Sequence, residues 1–166
     1  MRIRVYRSTA VLWALAACLF FMACGKENRR SGDAPPFTLK TYAGGEYSFS
    51  PRDGKVTLLV FWATWCQPCL MEIPSLVELQ EKYRSRGFHV VGINIDDPDG
   101  KKAVPIMRRF GVNYPMLIGG DDASRAFGGV NALPTSFLIG RDGKIREKIQ
   151  GLLPGQLLEA KVAAEL

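Results

Sequence analysis

Residues 56–69 read Val56-Thr57-Leu58-Leu59-Val60-Phe61-Trp62-Ala63-Thr64-Trp65-Cys66-Gln67-Pro68-Cys69. The first seven are a nearly continuous apolar run of β-formers, the pattern of a strand buried on both faces. A C-x-x-C pair follows at the strand's C-terminal end. From Pro68 to Ser85, Leu70, Ile73, Leu76, Val77, Leu79 and Tyr83 recur at helical spacing and supply one apolar face. Pro74 lies inside that helix and is expected to kink it.

Beyond the helix, Phe88–Ile95 alternates and reads as a second strand. A polar turn, Asp96-Asp97-Pro98-Asp99-Gly100, leads to a helix near Lys102–Phe110. A short extended piece at Pro115–Ile118 and a short helix at Asp121–Phe127 follow. Thr135–Ile139 and Lys144–Gln150 flank Gly140-Arg141-Asp142-Gly143, a strand–turn–strand signature. Gln156–Ala164 closes the chain as an amphipathic helix. Upstream of the core strand, Phe37–Lys40 and Glu46–Phe49 flank Gly44-Gly45 and predict a small hairpin.

The chain has 166 residues, 47% hydrophobic and 23% charged, enough for one ordinary globular domain. Its formal charge is +6. Without Arg2, Arg4 and Arg7, 19 basic residues stand against 16 acidic ones, a mildly basic balance with no mark of a nucleic-acid binder. Those three arginines precede a 14-residue apolar run, Ala10–Ala23. The run is short for a membrane span, which needs about 20 residues, and suits a secretory signal. It ends Phe21-Met22-Ala23-Cys24-Gly25, which resembles the bacterial lipoprotein cleavage site. That resemblance implies a signal peptide over 1–23 and a diacylglycerol on the Cys24 sulfur. An uncleaved short anchor and ordinary secretion are the alternatives, and all three place the domain outside the cytoplasm. Residues 24–35 read as a solvated linker and 36–166 as the folded domain.

The cysteine count then becomes informative. With Cys18 in the signal core and Cys24 lipidated, Cys66 and Cys69 remain. Two cysteines and the single histidine, His89, cannot fill a tetrahedral zinc site, so no metal is expected. As a structural staple the pair would close so short a loop that little unfolded-state entropy is removed. A redox pair is the stronger reading, and no cofactor beyond that disulfide is expected.

Strand, cysteine pair, helix, strand, helix, hairpin, helix is the order of a thioredoxin fold, a central mixed sheet flanked by helices. Residues from Pro36 to Ala164 resemble the TlpA/ResA branch of thioredoxin-like proteins, the extracytoplasmic thiol–disulfide oxidoreductases. The resemblance rests on Phe61–Cys69, then Glu72 and Pro74, then Leu133-Pro134-Thr135, with the N-terminal hairpin as an extension.

Cys66 stands where strand gives way to helix. Backbone N–H groups there favour a thiolate and should lower its pKa below the free value of about 8.5. It is expected to be the exposed attacking sulfur, with Cys69 the buried resolving thiol. Glu72 is three residues after Cys69 on the same helical face. It falls where this branch places an acidic residue, and as a buried carboxylate it could relay the proton of Cys69. The buried Asp of thioredoxins has no counterpart, because Val60 stands at its position. By resemblance Pro134 is a cis-proline facing the pair. Leu133, Trp65, Gln67 and Pro68 complete the expected substrate contacts.

The resemblance implies a disulfide reductase acting on protein thiols and disulfides, apocytochrome c among them, and supplied by a membrane thiol-electron transporter. A thiol oxidase or isomerase and a peroxiredoxin-like peroxidase are the alternatives. A peroxidatic site would place Thr three residues before its cysteine, whereas Thr64 is two before Cys66.

Overall fold

Every residue of Val56–Trp62 is buried, because this strand lies at the centre of a sheet covered on both faces. The computed structural model describes residues 32–166; the expected signal, Cys24 and most of the linker lie outside the described residues. In chain order the elements are β1 (Phe37–Lys40), β2 (Glu46–Phe49), β3 (Val56–Trp62), α1 (Gln67–Tyr83), β4 (Phe88–Asn94), α2 (Ala103–Arg109), β5 (Met116–Ile118), α3 (Asp121–Ala126), β6 (Thr135–Ile139), β7 (Ile145–Gln150) and α4 (Gly155–Glu165). A single 3-10 turn, Arg84–Arg86, follows α1.

The sheet order is β5-β4-β3-β6-β7. β3, β4 and β5 are parallel, β6 runs antiparallel to them, and β7, antiparallel to β6, again runs in the direction of β3. Alternation along β3 divides the core. Val56, Leu58, Val60 and Trp62 point into one layer, with Leu76, Leu79 and Tyr83 of α1 and Leu158 and Val162 of α4. Leu59 and Phe61 point into the other, with Phe49, Ala123, Phe127 and Phe137. This is the two-layered thioredoxin arrangement, with β1 and β2 paired as the expected hairpin from Phe37↔Phe49 to Lys40↔Glu46.

Two features refine the sequence reading. α1 continues as one helix from Gln67 to Tyr83, with Pro74 inside it as expected. The proline removes one backbone donor, while Ile73, Leu76 and Leu79 stay buried on the same face and hold the helix to the sheet. The linker also ends earlier than Pro36. Ala34 is buried and its N–H donates to the Gly143 carbonyl at 2.8 Å, while the Ile145 N–H donates to the Gly32 carbonyl at 3.1 Å. This backbone pairing uses no side-chain pattern, so a polar stretch could hide it. Gly143 permits it at φ +79°, where a Cβ would also meet the Pro51 carbonyl at 2.9 Å.

In the second layer the Phe137 ring lies 4.8 Å from Phe127 and 6.0 Å from Phe61, centre to centre. Phe137→Ala is expected to cost about 3–5 kcal/mol through lost burial and the cavity left behind. Its urea unfolding midpoint should fall accordingly; an unchanged midpoint would contradict this packing.

Candidate active site

The chain leaves β3 through a turn tied down on both sides. The Ile95 N–H donates to the Trp62 carbonyl and the Cys66 N–H to the Ala63 carbonyl, each at 3.1 Å. Asp96, just past the end of β4, takes both donors of Thr64: the backbone N–H at 2.9 Å and the hydroxyl at 2.6 Å. Asn94 Nδ2 donates to the same carboxylate at 2.9 Å. Burial alone would raise the Asp96 carboxyl, but the Thr64 hydroxyl and amide, with Asn94, outweigh it and hold it below the usual range.

The clamped turn delivers Cys66 to the N-cap of α1. Its backbone is extended, with φ −82° and ψ 97°, and its sulfur accepts from the Cys69 N–H at 3.3 Å. Cys66 and Cys69 are joined as a disulfide, their Cα atoms 5.3 Å apart. Cys69 is 2% exposed. Cys66 is only 4% exposed, which corrects the expectation of an open attacking sulfur. Capping explains the difference: the side chain folds back over the first turn to meet the Cys69 amide and its bonded sulfur.

One turn further, Glu72 is 2% exposed, and its Oε2 has no hydrogen-bond partner. Burial raises its carboxyl to about 7, with the Leu153 backbone amide pulling weakly the other way. It is a carboxyl that can hold or release a proton near neutral pH, on the helical face that carries Cys69.

The opposite wall comes from β6. Thr135 pairs with Phe61, so the residues before Thr135 lie beside the end of β3 where the cysteine turn begins. The Leu133–Pro134 bond there is cis. Leu133 packs against the core layer that contains both cysteines. The Pro134 carbonyl accepts from the Gly151 N–H at 2.8 Å, and the Thr135 hydroxyl donates to the Ala132 carbonyl at 2.7 Å. Around the pair the surface is formed by exposed Trp65, Gln67 and Pro68, with Trp65 at 68%.

The sequence reading missed the supports rather than the centre. Asp96 and Asp97 read as a polar turn, yet Asp96 clamps Thr64, and buried Asp97 accepts from the N–H groups of Lys102 and Ala103 at the start of α2. Aspartate upstream of a helix was the available signal for the second role. Nothing local marks the first. The clamp also commits the Thr64 hydroxyl to Asp96, so it is not poised to donate to a peroxide at Cys66.

Comparison with known proteins agrees with this geometry. The AhpC/TSA family matches residues 31–148. Thiol-disulfide oxidoreductase ResA of Bacillus subtilis is 32% identical over 162 residues, 93% of this chain and 89% of that protein. The protein of the same name in Geobacillus thermodenitrificans is 35% identical over 120 residues, 72% of this chain and 68% of its own. Among solved structures, a thiol:disulfide interchange protein of the thioredoxin family from Chlorobium tepidum superposes with a TM-score of 0.75. It is 33% identical and covers 82% of this chain and 97% of its own.

Two measurements follow from the site's charges. Glu72 binds its proton more tightly folded than unfolded, so the wild type should lose stability as pH rises from about 4.5 through about 7. Glu72→Gln should escape that loss and gain on the order of 3 kcal/mol relative to wild type above pH 7, read from urea unfolding at each pH. Asp96 has the opposite sign: its contribution is present above the unfolded pKa of about 3.9 and lost as pH falls. Asp96→Ala should cost about 1.5–3 kcal/mol at neutral pH by orphaning the Thr64 donors, and equal stability there would refute the clamp.

Proposed function

The chain belongs to the thioredoxin-like thiol–disulfide oxidoreductases of the ResA type, and we propose that it works as an extracytoplasmic disulfide reductase through Cys66 and Cys69. The observation that carries this reading is the Cys66 sulfur seated at the N-terminus of α1 against the Cys69 amide. The same N–H groups that meet the disulfide would stabilise a thiolate after reduction.

The exchange balances as follows. The reduced Cys66 thiolate attacks one sulfur of a client disulfide. A Cys66–client bond forms, the client S–S bond breaks, and the other client sulfur leaves as a thiolate that takes a proton from water. The Cys69 thiol then passes its proton to the Glu72 carboxylate. The resulting Cys69 thiolate attacks Cys66, releasing the second client thiolate. The client gains two electrons, and the protein ends as the Cys66–Cys69 disulfide. Leu133 and the backbone beside Pro134 would line up a client strand, and Trp65, Gln67 and Pro68 would form its docking rim. Exposure of Trp65 beside a buried disulfide supports a protein client.

The wider setting belongs to the same reading. A lipid on Cys24, after removal of 1–23, would hold the domain at the membrane. A membrane thiol-electron transporter would return two electrons to the pair. The haem-site cysteines of apocytochrome c are the client class in view. The basis for these is the Ala10–Cys24 pattern and the family resemblance.

Two experiments test the direction and the roles. The reduction potential of the pair, titrated against glutathione or dithiothreitol, should lie near the thioredoxin value of about −270 mV; a value near −120 mV would mark an oxidase instead. Cys69→Ala should accumulate client proteins disulfide-linked to Cys66, seen as adducts on non-reducing gels and absent from Cys66→Ala. Adducts in neither variant would remove the exchange mechanism.

A further inference from the structure

Among the described residues, three buried side-chain polar atoms have no hydrogen-bond partner: Trp62 Nε1, Glu72 Oε2 and the Tyr114 hydroxyl. Glu72 already has a place in the chemistry above. Tyr114 has none. It lies in the segment before β5, is 6% exposed, and packs in the core layer that contains both cysteines.

Two contacts put this segment beside α1. The neighbouring Asn113 donates from Nδ2 to the Val77 carbonyl of α1 at 3.2 Å. The Tyr114 ring edge also passes over Gly92 of β4, where a Cβ would stand 3.5 Å from Tyr114 Cε2 and collide with Met116 Sδ at 2.3 Å. The ring thus fills the space between the centre of the sheet and the helix that carries Glu72. Buried phenols ordinarily find an acceptor, and buried carboxylate oxygens a donor. Here each lacks what the other offers.

We infer that the Tyr114 hydroxyl and Glu72 Oε2, each unpartnered within the protein, are joined through one bridging water, making Tyr114 a positioning residue that acts on the cysteine pair through Glu72. The electrostatics agree: burial raises the Tyr114 phenol, and the Glu72 charge raises it further. A phenol held far above neutral stays protonated, so it is a standing donor on the Glu72 side of the core. The groups that bear on Glu72 are then Tyr114 from the segment before β5, the Leu153 amide before α4, and Cys66 and Cys69 on its own helix. The first two favour the ionised carboxylate against the burial that opposes it. With Tyr114 in place Glu72 titrates near neutral pH; without it, burial acts with one fewer counterweight. This rests on the proposed relay only for its consequence, because the bridge between Tyr114 and Glu72 would form whether or not Glu72 carries a proton for Cys69.

The test uses the full chain and reads Glu72 directly. The carboxyl carbon of Glu72, labelled with ¹³C and assigned by its loss in Glu72→Gln, is titrated by NMR in wild type and in Tyr114→Phe, which keeps the ring and removes only the hydroxyl. Tyr114→Phe should move the Glu72 midpoint upward by about half a unit to one unit, a three- to tenfold change in proton affinity. An unmoved or lowered midpoint overturns the inference. The pH profile of disulfide exchange with dithiothreitol is measured in parallel. An upward shift of that profile in Tyr114→Phe, absent when Tyr114→Phe is added to Glu72→Gln, supports action through Glu72. An equal effect of Tyr114→Phe in both backgrounds shows that the hydroxyl acts without Glu72 and overturns it. If the NMR midpoint moves while Glu72→Gln leaves the exchange profile unchanged, the Tyr114–Glu72 bridge stands and the proton relay of Glu72 is the part that fails.

Discussion

The Cys69 amide points at the Cys66 sulfur from 3.3 Å, and the rest of the site depends on that cap. A helix N-terminus favours negative charge only within its first turn, so a shift of a few ångströms would forfeit the effect. Three strand ends converge to prevent such a shift. β3 supplies the chain that enters the cap. The segment after β4 supplies Ile95 and Asp96, which hold Trp62 and Thr64. β6 supplies the Leu133–Pro134 wall. The sheet acts as a jig, and its burial on both faces makes the jig stiff.

The same stiffness sets the conditions for Glu72. A carboxylate beneath a packed helix loses water that a surface glutamate would keep, and its charged form is disfavoured until local donors return part of that hydration. The result is a carboxyl raised to about 7, one helical turn after Cys69. That poise makes the protein less stable above neutral pH than an uncharged side chain would, a cost borne at a functional position rather than at random in the core.

The fold was legible where side chains repeat. β3, α1 and the two hairpins announce themselves through alternation, helical spacing and glycine turns, and their observed ends lie within a residue or two of the reading. The centre of the site was legible for a similar reason, since C-x-x-C and Glu72 are close in sequence. What stayed hidden is long-range or made by the backbone. Thr64 and Asp96 are 32 residues apart, and neither is unusual in its own neighbourhood. The Gly32–Ala34 pairing with Gly143–Ile145 uses main-chain atoms alone. Tyr114 looks like any aromatic beside a short strand until its burial and missing partner are seen. The enclosure of Cys66 was misjudged because a cysteine at a strand–helix junction reads as a lip residue, whereas the cap turns its sulfur inward.

The position of the acid has its own logic. Thioredoxins place a buried Asp on the central strand at the position held here by Val60. In this chain that site sits between Gly92 on one side and Ser136 on the other, inside a strand with no exposed residue. A carboxylate there would be fixed by the rigid backbone of the sheet and approached only from the helix layer. Moving the acid to Glu72 puts it on α1 itself, in step with Cys69 and on a side chain with one more rotatable bond. The carboxyl and the resolving sulfur then ride on the same helix, and their spacing no longer depends on how α1 sits on the sheet. The consequence is that the acid's environment comes from elements packed against α1, namely the Leu153 amide and the segment carrying Tyr114. If Glu72 serves as the proposed relay, its environment can vary through the residues before β5 without altering the cysteine turn, while the clamp at Asp96 fixes the turn without touching the acid.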